Sequence, residues 1–111
     1  MSFHKGKNYL KTVTIDVSEE LSSENTFVKF REPTTGEAFS LRVEDETGAV
    51  EAFRVLLPQI LIDHNFFEDE EETTKMSNED VVGILYSTYP AFTKVLTEYT
   101  KSVFRSANKW G

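Results

Sequence analysis

Lys29-Phe30-Arg31-Glu32-Pro33-Thr34-Thr35-Gly36-Glu37-Ala38-Phe39-Ser40-Leu41-Arg42 is the stretch whose reading decides the fold. On the way in, Val28 and Phe30 share one face while Lys29 and Arg31 share the other, and Phe27 is an exception on the polar face. On the way out, Phe39 and Leu41 alternate with Ser40 and Arg42. Alternation with a period of two is the pattern of a half-buried strand. Pro33 fixes φ at the first corner of a turn, and Gly36 supplies the positive φ that closes a short hairpin loop. The stretch therefore reads as two strands, Thr26 to Glu32 and Gly36 to Val43, joined by a Pro/Gly turn.

Upstream, Val13, Ile15 and Val17 fall on one face of Lys11 to Val17, which reads as a first strand. Ser18 to Asn25 is polar, and reads as a loop or a single helical turn. Residues 1–9 read as a loose arm. The β-rich part, 10–43, is a small antiparallel meander that needs an apolar partner on one face.

Downstream the period changes. Val50, Phe53, Leu56, Leu57, Ile60 and Leu61 recur at helical spacing across Pro58, which predicts one kinked helix over 47–66, capped by Asp45 or Thr47. Glu68-Asp69-Glu70-Glu71-Glu72 is a run of like charge, and 67–75 reads as an exposed, mobile linker. It lacks the alternation and central Gly of a calcium loop, so no metal site is expected. Ser77 then caps a helix with Glu79 and Asp80 in its first turn and Val81, Ile84, Leu85 and Tyr89 as its buried stripe. Gly83 either weakens this helix or admits a close neighbour. Pro90 ends or bends it. Phe92, Val95, Leu96, Tyr99, Val103 and Ala107 define the last helix, so that 77–109 is a closing helical pair. The fold class is α+β: a small N-terminal antiparallel β-meander or hairpin followed by a three- to four-helix bundle, in a single domain.

Composition narrows the function classes. The chain has 111 residues, 39% hydrophobic, with nine Phe, which suits a folded domain with a modest core. There is no Cys, hence no disulfide framework or thiolate chemistry. A net charge of −7 argues against nucleic acid as a partner. No apolar run approaches the roughly 20 residues that span a bilayer, and Met1 to Lys7 lacks a signal-peptide core. Lys5, Lys7 and Lys11 at one end and Lys101, Arg105 and Lys109 at the other flank an acidic middle, an asymmetry that can steer self-association.

Catalytic chemistry is sparse. His4 lies in the arm, and His64 reads as a helix-end residue bonded to the last carbonyls. No serine has a partnered His, and no Gly-rich phosphate loop occurs. The reading is a non-enzyme without cofactor whose useful surface is apolar and helical and meets another protein. Its candidate contact residues are Phe53, Leu57, Leu61, Phe66, Phe67, Phe104 and Trp110. Trp110 has two readings, a binding contact or an aromatic folded back on the core.

The order of these features resembles the tail assembly chaperones of tailed bacteriophages and related phage-like particles. The resemblance rests on Arg31-Glu32-Pro33-Thr34-Thr35-Gly36-Glu37, on the apolar helix Val50 to Ile62, and on Met76-Ser77-Asn78-Glu79-Asp80-Val81-Val82 opening the last helices. It covers about residues 27–104; the first 26 residues and the acidic run fall outside it. In that family an Arg-x-Pro-x-x-Gly-[Asp/Glu] turn precedes the helices. The resemblance implies that Arg31, Glu32, Pro33 and Gly36 form a structural turn and that no catalytic residue carries over. It implies binding to the tape measure protein and the tail tube protein in the host cytoplasm, absence from the mature virion, and the shorter of two frameshift-related forms. A rival reading is a structural head–tail completion or minor tail protein; an acidic mimic of DNA and an enzyme are further rivals.

Overall fold

The computed structural model describes residues 10–40 and 46–103. The arm at 1–9, the proposed cap Asp45, and the C-terminal Phe104, Ala107 and Trp110 lie outside the described residues. The elements run β1 (Thr12–Asp16), β2 (Phe27–Arg31), α1 (Thr35–Ser40), α2 (Glu46–Ile60), β3 (Leu61–His64), α3 (Asn78–Ser87) and α4 (Tyr89–Val103). An antiparallel three-stranded sheet in the order β1-β2-β3 is combined with a bundle of helices, the α+β class expected.

The first two strands lie where alternation puts them. Val13 pairs with Phe30 and Ile15 with Val28. Ile15, Val17, Val28 and Phe30 are buried, and Thr12, Thr14 and Asp16 are exposed. The connection is a loop closed by Val17 N–H donating to the Thr26 carbonyl at 2.9 Å. Within it Ser22 and Asn25 take φ of 53° and 49°, and Leu21 folds back against the core.

The third strand is not the one expected. Residues 35–40 are helical, because Thr34 and Glu37 form a reciprocal cap. Glu37 N–H donates to Thr34 Oγ1 at 3.3 Å, and Thr34 N–H donates to Glu37 Oε1 at 2.9 Å. This Thr-x-x-Glu box satisfies donors that a helix start otherwise leaves unpaired, and it outweighs a short alternation of apolar residues. Gly36 sits in the first turn of α1 without a positive φ, so it closes no hairpin. Leu41 to Val43, the rest of that expected strand, lies outside the described residues.

The third strand comes instead from the end of the apolar segment. α2 starts at Glu46, before Thr47, runs through Pro58, and passes at Leu61 directly into β3, which pairs with β2. The helix expected over 61–66 is therefore absent. Pro58 cannot donate to the preceding turn, and the helix ends two residues later. Asn78 Nδ2 donates to the carbonyls of Pro58 at 3.0 Å and Leu61 at 2.8 Å, meeting acceptors that the helix end leaves open.

Ser77 caps α3, its side chain accepting from Asp80 N–H at 3.2 Å. At Thr88 the backbone turns extended and α4 restarts at Tyr89. This break resets the helical phase, so Tyr89 is 80% exposed instead of joining the α3 stripe. Pro90 falls in the first turn of α4, where its missing N–H is harmless. The core lies between the inner sheet face and the apolar sides of α2, α3 and α4, with Leu57, Ile60, Leu85, Val95 and Tyr99 fully enclosed.

Gly36→Ala tests the corrected element. The position is exposed and an added Cβ has no neighbour within 4 Å, so alanine is expected to raise stability by about 0.5–1 kcal/mol in urea unfolding. A hairpin turn with positive φ would give the opposite sign.

Candidate functional site

The Arg-Glu-Pro-Thr-Thr-Gly-Glu motif is a junction of four elements. Arg31 ends β2 and lays its guanidinium on Glu37 of α1, Nη1 to Oε1 at 2.8 Å and Nη2 to Oε2 at 2.9 Å. The same group donates to the Glu32 carbonyl at 3.1 Å and reaches the Gln59 carbonyl near the end of α2 at 3.5 Å. Glu32 extends the β1–β2 ladder, donating its N–H to the Lys11 carbonyl and accepting Lys11 N–H on Oε1. The fourth element is α4. Tyr99 donates its hydroxyl to the Arg31 carbonyl at 2.9 Å, a carbonyl just beyond the last β2–β3 pair. Its ring stands edge-on to Phe30 at 5.9 Å and to Phe53 at 6.2 Å. Burial pushes the Tyr99 phenol well above its ordinary range, so it stays a donor. The motif therefore ties the sheet to three helices.

The candidate contact residues are distributed differently from expectation. Leu57, Leu61 and Phe66 are core residues, and Phe53 is half-buried against Tyr99. Phe67 is half-buried and forms an isolated bridge with Lys75. Phe104 and Trp110 lie outside the described residues. The large apolar side chains left at the surface are others. Val55 is 61% and Phe39 57% exposed, with Ile62, Tyr86 and Tyr89 also exposed. Val55 was hidden in the sequence by its neighbours, since the apolar run it belongs to continues inward with Leu56 and Leu57. On the outer face of the α2–α3 pair, Arg54 lies 4.9 Å over the Tyr86 ring. The Tyr86 hydroxyl meets Glu51 Oε1 at 3.1 Å.

The acidic run is exposed, yet it is folded on itself. Glu68 N–H donates to the Thr74 carbonyl at 2.8 Å and Met76 N–H to the Phe66 carbonyl at 3.0 Å. The Asp69 carboxylate accepts the N–H of Thr73 and of Thr74, each at 3.1 Å, and the Thr73 hydroxyl. These bonds hold its pKa below the usual carboxylate range. Like-charge repulsion predicted an open linker, but one carboxylate spent on the loop's own donors closes it. Glu24, Glu70 and Glu72 border an open cleft of about 620 Å³ beside Asn65 and Phe67. Among the described residues no group of His, Cys, Asp or Glu is placed to hold a metal ion, and no helix is long and apolar enough to cross a membrane.

His64 is at the base of this loop, on β3 and not at a helix end. It is buried, and Nδ1 accepts Phe66 N–H at 3.0 Å, which requires the neutral ring. Asn65 beside it completes the ladder, its Oδ1 accepting Phe27 N–H at 2.9 Å and its amide donating to the Asn25 carbonyl.

No family model, no curated protein and no solved structure matches the chain.

Two pH dependences follow. Arg31, with help from Thr34, lowers the Glu37 pKa from 4.5 to about 2. A depressed carboxylate contributes stability above its unfolded pKa and loses it as pH falls through the folded one. Glu37→Gln is expected to cost about 1–2 kcal/mol near neutrality, and its stability curve should meet that of the parent near pH 2. For His64 burial comes first in lowering the pKa from 6.5, with Lys75 adding to it. Below pH 6.5 the unfolded chain takes up a proton that the folded chain refuses, so stability falls on acidification. His64→Asn keeps an acceptor toward Phe66, and urea unfolding at pH 7.5 and 5.5 should show a smaller loss for it than for the parent.

Proposed function

We propose that the chain is a tail assembly chaperone of a phage-like particle, which covers the apolar face of the tape measure protein until tail tube subunits polymerise around it. The observation that carries the reading is the exposure of large apolar side chains around a core that is already closed. Val55 faces outward from α2 while Leu56 and Leu57 face inward, and on α3 Tyr86 is also exposed, with Arg54 of α2 stacked on its ring. Client contacts therefore fall to Val55, Tyr86 and Tyr89, in place of the core residues Leu57, Leu61 and Phe66.

A helical rod with an apolar stripe aggregates when it is made without its tube. Single apolar contacts along such a rod are weak, and repetition over many chaperone copies makes the coat cohere. Tyr suits this task because it offers large amphipathic contact area with few torsions to freeze. A net charge of −7 per copy gives the coated rod a repulsive shell that keeps it dispersed. Weak individual contacts also let tube subunits displace the coat, which leaves the finished virion without it. The folded acidic loop argues for a preformed surface instead of a hinged one.

Co-expression with the long heptad-rich product of the neighbouring genes tests the proposal. The chaperone reading expects that product to become soluble and to be retained with the tagged chain. Val55→Asp together with Tyr86→Asp should reduce retention about tenfold, with the circular dichroism spectrum unchanged. Failure of any large helical protein to be retained, or the chain's presence in purified particles, would overturn it.

A further inference from the structure

The two edges of the sheet are treated differently. On the β3 side, Asn78 occupies the Leu61 carbonyl and Lys75 Nζ meets Asp63 Oδ1 at 2.8 Å, so the segment after the acidic loop covers that edge. β1 has no such cover among the described residues. Glu32 N–H bonds to the Lys11 carbonyl and Val17 N–H to the Thr26 carbonyl. With the register Thr12 to Arg31 through Asp16 to Phe27, residues 11, 13, 15 and 17 make the bonds to β2. The N–H and C=O groups of Thr12, Thr14 and Asp16 consequently point away from the sheet.

Natural edges carry a device against pairing: a proline, an inward charge, a bulge or a covering element. Among the described residues β1 has none of these. Its pairing with β2 is unbroken, the sheet's irregularity lying between β2 and β3, and Thr-Val-Thr-Ile favours extended backbone throughout.

We propose that the edge of β1 binds a second copy of this chain, the two β1 strands pairing antiparallel about a two-fold axis at Thr14. In this register Thr14 faces Thr14, Thr12 faces Asp16, and Val13 faces Ile15. The outward-pointing backbone groups of Thr12, Thr14 and Asp16 are then all used, and the two three-stranded sheets become one. Val13, half-buried in one chain, gains an apolar neighbour on the core side. The charges also match. Lys11 falls opposite Val17 of the other copy, next to its loop residue Glu19, and the two-fold repeats the contact. Both side chains are exposed and neither has an ion pair among the described residues.

Sedimentation of the full chain over a concentration series tests this inference, independently of any client. The expected result is a monomer–dimer equilibrium with Kd in the micromolar range, about 1–100 μM, weakened by salt. Thr14→Pro removes an N–H that β2 does not use, and Thr14→Lys sets two ammonium groups on the axis; each should raise Kd at least about tenfold while the circular dichroism spectrum is retained. Lys11→Glu should weaken the dimer, and adding Glu19→Lys should restore it. A parent that stays monomeric at about 500 μM, or folded Thr14 variants that dimerise as tightly as the parent, would overturn it.

Discussion

The hydrogen bond from the Tyr99 hydroxyl to the Arg31 carbonyl is the constraint on which the rest is hung. It joins the last described helix to the central strand at the point where the third strand has stopped supplying partners. A carbonyl enclosed there without a donor would cost on the order of 1–3 kcal/mol, and so would a buried phenol without an acceptor. Each group solves the other's problem. Around the same residue, the guanidinium of Arg31 fixes α1 through Glu37 and touches the end of α2 through Gln59. Position 31 thus sets the mutual placement of sheet and helices with one backbone atom and one side chain.

Much of the architecture was legible from periodicity. Strands β1 and β2, the Ser77 cap, an interruption between α3 and α4 close to Pro90 and the inward face of α4 all follow from short-range rules applied to consecutive residues. The errors came where two local signals compete. Thr34-Thr35-Gly36-Glu37 contains both a turn-forming Gly and a Thr-x-x-Glu cap, and the cap was the stronger of the two because its bonds are reciprocal. Leu61 continued an apolar helical pattern and His64 read as the end of that helix, yet the strand they form is specified by a distant partner, β2, that no local window contains. Asn78 shows the same limit, since its task is set by a helix end far back in the sequence.

The candidate surface was less legible than the fold, for a reason that lies in helix geometry. Spacing identifies which residues share a face, and the largest apolar face of a short chain goes to its own core. Leu57, Leu61 and Phe66 are there because they satisfy the pattern best. The large apolar residues left at the surface are those that break the pattern, such as Val55 among inward neighbours and Tyr89 after a reset of phase. An apolar residue off the stripe is therefore a better pointer to exposed apolar surface than one on it.

The direct passage of α2 into β3 has a consequence for the order of events on the ribosome. The β1–β2 hairpin emerges first with Val28 and Phe30 uncovered, and the chain must extend past residue 64 before its second neighbour exists. Its lid, carried by Tyr99, arrives later still. At about 5–20 residues per second, the nascent hairpin spends several seconds as an unroofed apolar surface with a free edge.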